Sequence, residues 1–163
     1  MRIIPLIFTL IFISLSLPAM SSVSVVFKES KKFADYELTG ESRPQSLQTL
    51  QKNFSGFFGS LSKAYFSEGQ KMEIIISNID LAGDMLPNTI NSGRYIRVVK
   101  GHAFIQLNFT YKVTDISGEL IKEGEYKLNN IIKNGSSHII YRRYANISHF
   151  VKPLKNWFSS TFK

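Results

Sequence analysis

Asn78, Asp80 and Asp84 fall within the stretch SNIDLAGDML, directly after the apolar run Ile74-Ile75-Ile76. Two carboxylates and an amide at a strand end could ligate a cation or act as acid and base. As a metal site the set is short, since calcium takes about six to eight oxygens and zinc about four ligands with His or Cys prominent. The spacing also departs from an EF-hand loop, which needs oxygen donors at alternate positions, a central Gly and a terminal Glu. The competing reading is structural: Asp80 caps amides of the turn, Ala82 and Gly83 allow tight packing, and Asp84 is solvated. No metal or other cofactor is expected.

A second candidate is the basic, aromatic stretch HIIYRRYANISHF. Arg142 and Arg143, flanked by Tyr141 and Tyr144, could donate hydrogen bonds to a phosphate or a lipid headgroup; alternatively the tyrosines pack and the arginines are solvated. The histidines, His102, His138 and His149, lie far apart, and the chain has no HExxH, GxSxG, P-loop or GxGxxG motif. No nucleophile and base pair is recognisable, so hydrolytic chemistry has no visible carrier.

These residues sit in a chain of 163 residues with a net charge of +8 and no cysteine. Arg2 is followed by IIPLIFTLIFISLSLPAM and small residues, which reads as a secretory signal peptide over residues 1–21. Its apolar core is shorter than the roughly 20 residues of a bilayer span. An uncleaved anchor is the competing reading. No cysteine stands at the cleavage point, so a lipid anchor is not expected, and no transmembrane segment is expected after signal removal. The expected product, residues 22–163, is long enough for one core without disulfides. Its scattered basic charge suits solubility or an anionic surface, and no specific nucleic acid partner is expected.

Periodicity supplies the elements. SVSVVF, residues 22–27, reads as a strand and residues 28–44 as a polar connection. Ser42 and Gln45 have capping-box spacing, Pro44 sits in the first turn, and Leu47, Leu50, Phe54, Phe57, Phe58, Leu61 and Tyr65 recur at helical spacing. Gly56 and Gly59 in that helix suggest close approach of a neighbour. KMEIIISNIDL reads as a central strand, residues 83–93 as a loop, and RYIRVVK as a shorter strand. FIQLNFTYKVTD alternates, with Ile105, Leu107, Phe109, Tyr111 and Val113 on one face; DISG turns the chain, and ELIKEGEYKLNN returns. HIIYRRY offers a last strand. A terminal helix follows, interrupted by Pro153. The fold class is α+β, a single domain with a mainly antiparallel sheet of about 4–6 strands against two helices, about 44–65 and 145–162.

GQKMEIIISNIDLAG, then RYIRV, then FIQLNFTYKVTDISGELIKEGEYKL and a terminal LKNWFSSTF together resemble the bacterial domain of unknown function 3016. Asp80-Leu81-Ala82-Gly83 and Trp157-Phe158 are the most specific matches. The resemblance covers nearly the whole chain after residue 21 and implies a small exported protein of α+β fold without an assigned activity. Two departures stand out. Asn78 occupies a position where the pattern tends to carry aspartate, and Asn129-Asn130 replaces a common acid, which weakens any shared acid or metal role.

The expectation is therefore a periplasmic, non-enzymatic binding or interaction module. Its partner would be an envelope protein or an anionic ligand, met through Asn78, Asp80, Asp84, Arg142 and Arg143. The alternative is a metal-dependent or hydrolase-like envelope enzyme centred on Asp80 and Asp84. A homodimer joined through a sheet edge is a third class.

Overall fold

The computed structural model describes residues 21–87, 95–99, 101–133 and 142–163. The leader expected over residues 1–21 lies outside them except for Ser21.

Helix α1, Arg43–Tyr65, starts where its capping signal predicts. The Gln45 side-chain oxygen accepts from the Ser42 backbone N–H at 2.9 Å and from its hydroxyl at 2.8 Å. The first-turn amide of Ser46 meets the Ser42 carbonyl at 2.9 Å. Leu50, Phe54, Phe57 and Phe58 are buried as their spacing requires, while Tyr65 is exposed. The two helix glycines are not packing necessities: a methyl on Gly56 would rest 3.8 Å from the Tyr144 ring, and one on Gly59 would meet nothing.

Strands β1 (Ser22–Phe27), β2 (Lys71–Asp80), β5 (His102–Thr114) and β6 (Leu120–Lys133) form a sheet in the order β1-β2-β5-β6. β1 runs parallel to β2, because α1 connects them; the other two pairings are antiparallel. Turning the β5–β6 hairpin, the Asp115 carboxylate accepts from the Ser117 and Glu119 amides and the Ser117 hydroxyl, and Gly118 adopts φ +88°. Ile105, Leu107, Phe109, Tyr111 and Val113 all face the core.

Two strands depart from the sequence reading. β4, Tyr95–Val98, does not join the main sheet but pairs with β3, Asp84–Pro87, which lies in the stretch expected to be a loop. Asp84-Met85-Leu86-Pro87 is short, does not alternate and ends in proline, so a strand there has little sequence signal. Part of the expected last strand, residues 138–141, lies outside the described residues, and the rest is not extended: Arg142–Ile147 is a 3-10 segment broken at Tyr144. Helix α2, Ser148–Thr161, follows and runs through Pro153.

Both helices cover the apolar face of the sheet. Trp157 is its focus, with Phe109, Tyr111 and Tyr126 rings at 5.0, 5.2 and 5.1 Å and Phe58 at 6.3 Å. The opposite face carries exposed Thr110, Lys112, Glu123, Glu125 and Lys127, so among the described residues neither helix lies over the hairpin's polar side.

Candidate functional site

β2 is irregular where the candidate residues begin, with a register shift against β5 between Ile76 and Asn78. A bulge bends a strand and frees backbone groups for other partners. On the other edge of β2, β1 ends at Phe27 opposite Ile76, and residues 33–38 take up the backbone groups beyond it. The Asp35 amide donates to the Ile79 carbonyl at 3.0 Å, and the Leu81 amide donates to the Asp35 carbonyl at 3.0 Å, so Asp35 bridges Asp80 in parallel. The Asn78 side chain closes the joint by accepting from the Ala34 amide at 3.1 Å and donating to Gln106 at 3.1 Å. Phe33, Tyr36 and Leu38 are buried. The segment read as a polar connection is thus packed structure.

Arg97 on β4 organises this corner. Its guanidinium meets the Asp35 carboxylate as a fork, at 2.7 and 2.8 Å, and its side chain is only 14% exposed. The remaining donor capacity goes to main-chain carbonyls: Gly83 at 2.8 Å, Glu37 at 2.5 Å, and Leu81 and Ala82 at 3.4 Å. The Arg97 amide also donates to the Thr39 hydroxyl at 3.0 Å. Only a planar group with five fixed donors can satisfy a carboxylate and several carbonyls at once. Gly83 is required for the same closure, since it holds φ +85° and a Cβ would stand 2.4 Å from the Val98 carbonyl oxygen. The LAG of the DLAG stretch therefore presents its carbonyls to Arg97.

The two aspartates of the opening stretch are separated by this arrangement. Asp80 ends β2 and is partly buried, whereas Asp84 begins β3 and is exposed. Burial, and then the charge of Asp35, push the Asp80 carboxyl above the usual carboxylate range, and Arg97 partly offsets them. Among the described residues no cluster of three or more His, Cys, Asp or Glu could hold a metal ion. Arg142 and Arg143 open the 3-10 segment that leads into α2; their side chains lie outside the description.

A cleft of about 300 Å³ adjoins the Arg97 corner. One wall is Leu38, Thr39 and Glu41, the floor is Leu81, Ala82, Arg97 and Val99, and the other wall is residues 145–147 with His149 and Phe150. Among its polar residues, which include Thr39, Arg97, Asn146 and His149, Glu41 stands out: Oε2 is buried and accepts no hydrogen bond among the described residues. Such an atom loses hydration without compensation. Glu41 is set there by a turn in which its amide donates to the Leu38 carbonyl at 3.1 Å and Gly40 adopts φ +77°.

Sequence reasoning passed over Asp35, Arg97 and Glu41. One signal existed for the first two, a charge with an apolar or aromatic residue on either side, in FADYEL and YIRVV. Glu41 carried none, because it lies in a turn whose depth depends on a helix more than a hundred residues away.

Among known proteins, no curated protein matches the chain. A solved structure described as a minor lipoprotein from Acinetobacter baumannii aligns at 8% identity with a TM-score of 0.34, covering 90% of this chain and 95% of that one; a likeness at that level carries no argument. The sequence pattern described as protein of unknown function DUF3016 matches residues 21–160, running from β1 to α2 through the DLAG corner and Trp157. The chain belongs to the DUF3016 family.

Proposed function

We propose that the protein is an exported, non-enzymatic binding module of the cell envelope, made as a leader of residues 1–21 and a domain of residues 22–163, whose site is the cleft beside the Arg97 corner. The apolar segment after Arg2 supports export. The observation that carries the binding site is the buried Glu41 oxygen, without a hydrogen-bond partner among the described residues, on the wall of a partly apolar cleft. A bound molecule that donates a hydrogen bond there removes the desolvation cost, while Leu38, Leu81, Val99 and Phe150 receive its apolar part. The ligand class is a small molecule with an ammonium or other N–H donor on an apolar body. In this reading Asn78 and Asp80 join β2 to residues 33–38 and so hold the floor of the cleft, and Asp84 is the solvated start of β3. Arg142 and Arg143 open the segment that leads into the second wall.

The test is a thermal-shift screen of the purified protein against primary amines on apolar bodies, each paired with its N-acylated counterpart. The amines raise Tm and the acylated forms do so less. Glu41→Gln and the rim change Asn146→Trp, at an exposed position, each abolish the shift while retaining the fold by circular dichroism. Equal shifts in all three proteins would remove the cleft as the site.

A further inference from the structure

The long edge of the main sheet carries a second interaction surface, independent of the cleft. β6 spans Leu120–Lys133, and among the described residues it pairs with β5 alone. A strand of this length with an open edge presents a row of unpaired amides and carbonyls, which other proteins blunt with proline, charges of one sign, shortening or covering elements; the charges of β6 are of both signs. β6 contains no proline and is the longest strand described.

Its sequence is complementary to itself. When two copies of β6 run antiparallel about a two-fold axis at Tyr126, Glu125 of each copy faces Lys127 of the other, Gly124 faces Leu128, and Ile121 faces Ile131. Glu125 and Lys127 already pair within one strand at 2.7 Å, so the two-fold creates an alternating quartet of charges. The shift of register by one residue to either side lacks this match; centring on Glu125 sets that carboxylate against itself. The apolar residues agree with the charges. Ile121 and Ile131 are 49% and 51% exposed, and Phe104, the cross-strand partner of Ile131, is 63% exposed. The two-fold places Ile121 of one copy opposite Ile131 of the other, with Phe104 next to that Ile131 on β5, so an apolar row crosses the sheet at both ends of the interface. Gly124, whose missing side chain leaves room for the Tyr111 ring, meets the leucine that can cover it.

We infer that β6 is a homodimerisation edge, joining two copies through antiparallel β6–β6 pairing centred on Tyr126 into a continuous eight-stranded sheet. Both side chains of the charge pair are solvent-exposed in the single chain, so their exchange leaves the fold intact. The experiment is sedimentation equilibrium over a wide concentration range, on the full chain expressed with its own N-terminal segment and purified in the form that accumulates. The wild type shifts reversibly from monomer to dimer mass. Lys127→Glu and Glu125→Lys each turn two attractive cross-pairs into repulsive ones and weaken the dimer about tenfold or more. The double exchange Glu125→Lys with Lys127→Glu regenerates the quartet and restores wild-type association. A chain that stays monomeric, or a dimer indifferent to the single exchanges, would overturn the assignment.

Discussion

The aromatic seam under the sheet and the Arg97 corner at the end of β2 are held together by opposite means. In the seam, Phe58 is fully buried and meets the rings of Phe54, Phe57, Phe109 and Trp157. No single contact there is directional, and the loss of any ring is felt as lost burial and a cavity. In the corner, one guanidinium satisfies a carboxylate and the carbonyls of two loops. Its strength depends on angles and on one charge being matched by another, so it fails when a partner is removed and tolerates little substitution. The cleft lies beside the corner because a surface built from oriented polar groups leaves one without a partner among the described residues, Glu41 Oε2, more readily than a packed apolar seam does.

The largest loss is expected in the seam. Phe58→Ala removes a whole ring from a fully buried position and costs about 4 kcal/mol, read as a fall in the midpoint of urea unfolding. Arg97→Ala comes next, at about 3 kcal/mol, because it strands the partly buried Asp35 carboxylate. Arg97→Lys sharpens the contrast: it keeps the charge but loses the fork, so it recovers less than half of the loss. If lysine restored full stability, the corner would be a charge effect and not a matter of geometry. Gly83→Ala costs about 2 kcal/mol through a positive φ and a clash with the Val98 carbonyl. Because that clash pushes β4 away from the loop, Gly83→Ala and Arg97→Ala are expected to lose less together than the sum of their separate effects, measured by a double-mutant cycle.

The same contrast governs what could be read beforehand. The residues of the seam announce themselves by period: Leu50, Phe54, Phe57 and Phe58 at helical spacing and Ile105 to Val113 at alternate positions lie in the core. Periodicity is a property of the chain, so strands β1, β2, β5 and β6 and both helices were legible. The corner has no period. Asp35 and Arg97 are 62 residues apart, and nothing local to either specifies the other. The DLAG stretch was legible as a feature but not for its role, since its carbonyls, which every residue has, meet Arg97. Glu41 became a candidate only once α2 and the β4 end enclosed it.

The smallest expected effect separates the two acids that meet at the Asp35–Asp80 bridge. Asp35→Asn weakens the Arg97 fork and lowers Tm at neutral pH. Asp80→Asn is expected to act in the other direction. Burial first, and the Asp35 charge second, raise the Asp80 carboxyl above its ordinary value of 3.8, with Arg97 only partly opposing them. An acid whose value is raised on folding favours the folded state in its protonated form. That contribution is fully present below the ordinary value and is lost as pH rises through the raised one. At neutral pH the Asp80 carboxylate therefore opposes folding modestly, and asparagine relieves it. Melting curves of wild type and Asp80→Asn should show the variant slightly higher at pH 7, with the difference closing as the pH falls toward and below the ordinary carboxylate value. A variant less stable at pH 7 would mean that the Asp80 charge is matched by a favourable contact, and would return this residue to candidacy as a cation ligand.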